Sequence, residues 1–227
     1  MGIIREGPPE ELISLLKKNV DIKNFIETGT FLGKTAYWAS KHFDKVYTIE
    51  ISEVFYEKTL LKFGDIKNIN FILGDTREQL ESILNQINSS ALLWLDAHWS
   101  GGETYGEDDE CPLLEEIGII NKSKFSHFIF IDDARLFLAP PAKPHKIEQW
   151  PDIKSVIDKL SEGNDERYIV IIEDVIIVVP LDVKDVVAQY CQDINTRRWM
   201  DYFEKNKKKK GIMSKLRRIM HRAIWCR

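Results

Sequence analysis

From Asn24 to Pro180, short apolar runs alternate with segments whose apolar positions recur at helical spacing, which predicts a parallel sheet covered by helices. The runs place strands at 24–27, 45–50, 69–73, 91–96, 128–132, 168–173 and 175–179. Helical segments fall near 34–41, 53–63, 77–87, 113–120 and 153–160, and Pro8 and Pro9 suit the first turn of a leading helix over 10–18. Only Asp174 separates the last two strands, too little for a crossover helix, so they should form an antiparallel hairpin. The expectation is an α/β fold, doubly wound, with a mostly parallel seven-stranded sheet ending in that hairpin. Two irregular stretches stand out. Residues 97–111 carry Gly101, Gly102, Gly106 and five carboxylates, and residues 134–146 hold Pro140, Pro141 and Pro144, which suit a rigid lid.

Composition changes this picture only at the C-terminal end. With 227 residues, 44% hydrophobic, the chain can bury a large core, and its formal net charge is -4. Residues 201–227, however, carry six Lys and four Arg against Asp201 and Glu204, a net of +8 that leaves -12 on residues 1–200. A nucleic-acid binder would spread basic charge over its folded surface, so an acidic body argues against that class. Cys111, Cys191 and Cys226 lack any metal or disulfide spacing, which fits a reducing compartment. The N-terminal sequence reaches charge too soon for a signal peptide, and no apolar run approaches the length of a membrane span, so a cytoplasmic location is expected. The division predicted is a body over 1–182 and a helical extension over 183–227.

Candidate chemistry begins at the first strand-to-helix turn, Glu27-Thr28-Gly29-Thr30-Phe31-Leu32-Gly33-Lys34-Thr35. A Walker A loop needs four residues between its glycine and the Gly-Lys-Thr, and Gly29 to Gly33 leaves three. A dinucleotide fingerprint needs a second glycine where Thr30 and Phe31 stand. Glu50 ends the second strand and Asp75 follows the third, so three acids sit at successive strand ends, where α/β proteins bind cofactors. Asp75 also suits a helix N-cap. Asp96 follows the fourth strand and Asp132-Asp133 the fifth, and neighbouring strands would bring these carboxylates together. Their repulsion would raise their pKa values, a cost that a hard divalent cation such as Mg²⁺ removes.

The Glu-x-Gly-x-x-x-Gly turn resembles motif I of the Rossmann-like, S-adenosylmethionine-dependent methyltransferases. That resemblance implies a Rossmann-like sheet and an S-adenosylmethionine site built from Glu27, Gly29, Thr30, Gly33, Glu50 and Asp75. Glu27 would act near the ammonium group, Glu50 on the ribose diol and Asp75 on adenine. The pairing of Asp96 with Asp132-Asp133 is similar to the metal-dependent sugar and macrolide O-methyltransferases. It implies that these three acids hold Mg²⁺ beside an acceptor sugar, with His98 as general base and Asp96 taking part in catalysis. His98 lies two residues after Asp96, a shorter spacing than that family's histidine. The alternative readings are an NAD-linked oxidoreductase and a membrane-associated binding protein that keeps the fold without turnover.

Trp99 and Tyr105 could stack on a sugar ring or pack beneath their own loop, and Glu107, Asp108, Asp109 and Glu110 read as a solvated acidic run. Beyond the lysines at 207–210, Ile212, Met213, Leu216, Ile219, Met220, Ala223 and Ile224 recur at helical spacing among basic residues. A basic amphipathic helix of this kind predicts contact with the inner face of a membrane. A helix docked on the acidic body, or pairing two copies in a homo-oligomer, is the competing expectation.

Overall fold

The computed structural model describes residues 7–99, 106, 109–163 and 165–224, and their side chains as far as residue 207. The chain divides into two compact units, Met1–Lys184 and Asp185–Arg227. The first contains strands β1 (Asn24–Thr28), β2 (Lys45–Glu50), β3 (Ile69–Leu73), β4 (Ala91–Leu95), β5 (Phe128–Ile131), β6 (Arg167–Ile172) and β7 (Val175–Pro180). They form one sheet in the order β3-β2-β1-β4-β5-β7-β6. Every pairing from β3 through β5 is parallel, and β7 runs antiparallel to both β5 and β6.

Burial follows position in the sheet. All residues of β1, β4 and β5 are buried, as strands covered on both faces must be, whereas the edge strands β3 and β6 are partly exposed. On one face Leu80 and Ile83 of α4 (Thr76–Gln86), Ile117 and Ile120 of α5 (Leu113–Ile120), and Val156 and Leu160 of α7 (Ile153–Ser161) pack over Ile26, Leu93 and Ile129. On the other, Phe25 meets Trp38 of α2 (Lys34–Ser40) and Phe43, with ring centroids 6.1 and 5.1 Å apart. Two of these helices start on aspartate caps: Asp75 accepts the Arg77 amide at 2.8 Å, and Asp152 accepts the Ser155 amide at 2.7 Å. The leading helix α1 covers Glu10–Asn19, and α3 covers Glu53–Phe63.

Two expectations need correction. The hairpin between β6 and β7 turns on two residues, Glu173 and Asp174, both left-handed at φ 51° and 70°, the backbone of a tight primed turn. Residues 134–146 are not wholly irregular, because Arg135–Leu138 forms a short helix, α6, whose start is pinned by the Ala134 amide donating to Asp174 O at 2.8 Å. The order of strands reverses between β1 and β4. Their C-terminal ends therefore open the crevice in which α/β sheets place ligands.

The helix α8 runs over Lys184–Ile224 and accounts for the described residues of the second unit. Among the described residues no helix is long and apolar enough to cross a membrane.

Candidate active site

The turn after β1 is shaped by close approach. Gly29 has φ 85°, and a Cβ there would stand 2.4 Å from the carbonyl oxygen of Asp96. Gly33 begins α2 at φ 69°, where a Cβ would meet the Thr59 methyl at 2.4 Å. Glycine is required at both on two counts, backbone conformation and space. Between them Phe31 is held left-handed at φ 48°, its amide donating to Glu50 Oε2 at 2.7 Å and its carbonyl accepting from Thr59 Oγ1 at 2.9 Å. The other Glu50 oxygen accepts the Ser52 amide at 2.8 Å. Burial raises the Glu50 carboxyl while these amides oppose it. The Ile51 and Thr30 amides also act on this carboxylate, so a diol would share it with the turn.

Glu27 lies one layer below. Thr48 donates to its Oε2 at 2.5 Å and shares a 2.6 Å hydrogen bond with the buried Thr30 hydroxyl. Burial outweighs these hydroxyls and pushes Glu27 up to about 8, so the acid holds its proton at neutral pH. Asp75, by contrast, has both oxygens occupied by the Arg77 guanidinium, at 2.6–3.2 Å, besides its capping bond. Arg77 is the main cause that lowers its pKa.

The carboxylates after β4 and β5 do converge, and His98 stands among them. Its Nδ1 is 3.6 Å from Asp96 Oδ1 and its Nε2 is 3.3 Å from Asp133 Oδ2, while Arg135 reaches Asp133 Oδ1 at 2.6 Å. Burial would depress the imidazole, but Asp133 and Asp96 outweigh it and hold His98 above its ordinary range. For Asp133 the upward push of burial is overcome by His98 and Arg135, and its carboxyl lies far below the usual value. Asp132 accepts the Asp133 amide at 2.8 Å, and burial among Asp96 and Asp133 pushes it up to about 7. Burial also raises Asp96, against the pull of His98.

This arrangement does not fit the Mg²⁺ ion expected from the sequence. Both Asp133 oxygens face cations of the chain itself, Asp132 binds its neighbour's amide, and the imidazole occupies the space between Asp96 and Asp133. Among the described residues no group of three or more His, Cys, Asp or Glu side chains is placed to hold a metal ion. The repulsion that a cation was expected to relieve is relieved by His98 and Arg135.

Two further acids support the site from remote positions. Glu110, expected in a solvated run, is fully buried: its carboxylate accepts from Trp150 Nε1 at 2.5 Å, the Lys146 amide at 2.9 Å and His145 Nδ1 at 3.0 Å. Burial pushes its pKa up, and these three donors bring it below the ordinary value. Trp150 in turn lies edge-on to His98, with centroids 5.4 Å apart. Asp174, at the hairpin turn, accepts the Arg135 amide at 2.9 Å and pairs with its guanidinium. Trp99 is buried against His145, which leaves it beneath its loop instead of open to a sugar. Tyr105, Glu107 and Asp108 lie outside the described residues, as do Gly101 and Gly102. Asp109 pairs with Arg77 at 2.5 Å.

No protein-family model matches the chain, and no curated protein matches it by sequence. Solved structures do match. A Staphylococcus aureus protein assigned as a caffeoyl-CoA O-methyltransferase aligns with 78% of this chain and 86% of its own, at 16% identity and a TM-score of 0.53. The methyltransferase PaMTH1 of Podospora anserina, bound to S-adenosylhomocysteine, aligns over 75% and 76% at 16% identity and a TM-score of 0.50. A Streptococcus mutans protein assigned as a methyltransferase, also bound to S-adenosylhomocysteine, aligns over 78% and 100% at 15% identity and 0.50. The chain has the Rossmann-like fold of the class I methyltransferases.

Proposed function

We propose that the chain is an S-adenosylmethionine-dependent O-methyltransferase whose acceptor is a hydroxyl of a sugar in a glycan or secondary metabolite. The observation that carries this reading is the meeting of two sites at Gly29 and Asp96. There the cofactor turn packs directly on the backbone of Asp96, the residue whose carboxylate faces His98.

The residues present fit the cofactor. Glu50 offers a carboxylate at the end of β2 for a ribose diol, and Glu27 is a buried acid bonded by the Thr48 hydroxyl, suited to an ammonium group. Asp75 is committed to Arg77, so contact with adenine would come through the edge of that pair. Bound S-adenosylmethionine supplies an electrophilic methyl group on sulfur. The chain's own part is to hold the acceptor hydroxyl in line with that methyl and to take its proton. His98 is the proposed recipient in its neutral form, which is populated as pH rises through its raised pKa, with Asp96 and Asp133 stabilising the imidazolium that results. No step passes through a metal. The choice of a sugar rests on the similarity of the Asp96 and Asp132-Asp133 pattern to sugar O-methyltransferases.

Titration calorimetry with S-adenosylhomocysteine, NAD and ATP tests the reading. Binding of S-adenosylhomocysteine alone is expected, and binding of NAD alone would overturn it in favour of an oxidoreductase.

A further inference from the structure

Helix α8 contains a feature that the catalytic reading does not use. From Asn195 to Lys207 no described residue is buried, and all but the half-buried Asn206 are exposed. Three aromatic rings nevertheless gather in this stretch. Trp199, Tyr202 and Phe203 are 62%, 61% and 52% exposed, with Met200 beside them at 57%. The rings touch one another: Trp199 stacks on Tyr202 at 6.3 Å, and Phe203 lies edge-on to Trp199 at 5.1 Å. Spacings of three and four residues place them on one side of the helix. Contiguous exposed aromatic rings on one helix face mark an interaction site.

The chemistry of the occupant follows from what comes next in the chain. Lys205 and the four lysines at 207–210 give five cations in six positions directly after the rings, and residues 201–227 sum to +8. Trp and Tyr rings with one polar atom settle at the boundary between headgroups and acyl chains, and lysines next to them attract anionic headgroups. Either signal alone binds a bilayer weakly, and the two together give stable attachment. An acidic protein partner would answer the lysines but leave the aromatic patch in water. A second copy of the helix would cover the rings but leave the lysines without an anionic partner.

We propose that Trp199, Tyr202 and Phe203, with the lysines that follow, form a docking surface for an anionic lipid bilayer. This surface is independent of the proposed methyl transfer and stands whether or not that reading holds.

Co-sedimentation of the full chain with vesicles of phosphatidylcholine, alone or with phosphatidylglycerol, tests the surface. Binding to the phosphatidylglycerol vesicles is expected, weakening steeply as salt is raised. The triple variant Trp199→Ala/Tyr202→Ala/Phe203→Ala should lower partitioning at least about tenfold while helicity by circular dichroism is kept. Replacing the lysines at 207–210 by Gln should abolish the preference for phosphatidylglycerol. Failure of the full chain to sediment with anionic vesicles would overturn the proposal, as would undiminished binding by the triple variant. A salt-stable dimer that the triple variant converts to monomer, without vesicle binding, would assign the rings to self-association instead. Calorimetry with S-adenosylhomocysteine on the same variants should give unchanged affinity, which keeps the two proposals separate.

Discussion

Gly29 has two demands on it at once, a left-handed φ of 85° and a carbonyl 2.4 Å from where a Cβ would lie. Gly29→Ala is therefore expected to cost about 1–3 kcal/mol of stability, read as a lower denaturation midpoint, and to displace the Asp96 loop. Glu50→Gln tests a different quantity. The amide keeps the size of the side chain but weakens acceptance from Phe31, Ser52 and a bound diol, so S-adenosylhomocysteine affinity should fall roughly 10- to 100-fold. Unchanged affinity would remove Glu50 from the site. His98 was legible as chemistry in the sequence because it follows a strand end, yet its surroundings were not. A row of letters shows that Asp96 is near; it does not show that Asp133 and Arg135, from another strand, complete the charge balance.

At the level of elements, periodicity read the sheet well. The fully buried strands β1, β4 and β5 are continuous apolar runs, and a run of that kind has one stable home, the centre of a covered sheet. The hairpin was legible as a hairpin and misread by a residue, because Glu173 and Asp174 adopt primed-turn conformations without the Asn-Gly signature that announces one. That residue matters, since the turn carries Asp174 to Arg135, 39 positions earlier. Glu110 escaped for a related reason: its donors His145, Lys146 and Trp150 lie 35 to 40 residues away, and a run of acids looks solvated until a partner loop covers one of them. Asp174→Ala should remove the anchor of the Asp133–Arg135 loop. The expected cost is about 2 kcal/mol in chemical denaturation. Asp174→Asn, which tolerates the left-handed backbone, should recover part of it by keeping the bond to the Arg135 amide. Equal losses in both variants would show that charge alone holds the loop.

Across the whole molecule, the buried acids set a common pH dependence. Glu27 is raised to about 8, and Glu116 and Asp132 each to about 7, all chiefly by burial. The folded chain thus keeps protons that the unfolded chain gives up near pH 4, and its stability should fall as pH rises through the window from 4 to 8, opposed below pH 6.5 by His127, which burial lowers to about 4. His98, raised above its ordinary value, adds a loss in the same direction above pH 6.5. A melting temperature that rises or stays level between pH 5 and 8.5 would contradict this. Ligand binding draws on the same store of protons. If an ammonium group settles beside Glu27, the acid ionises, and S-adenosylhomocysteine binding at pH 7 should release about one proton per site. Calorimetry in buffers of different ionisation enthalpy measures that number directly. Glu27→Gln should bind with the release abolished, whereas a variant that binds and still releases its proton would place the ammonium group elsewhere in the crevice.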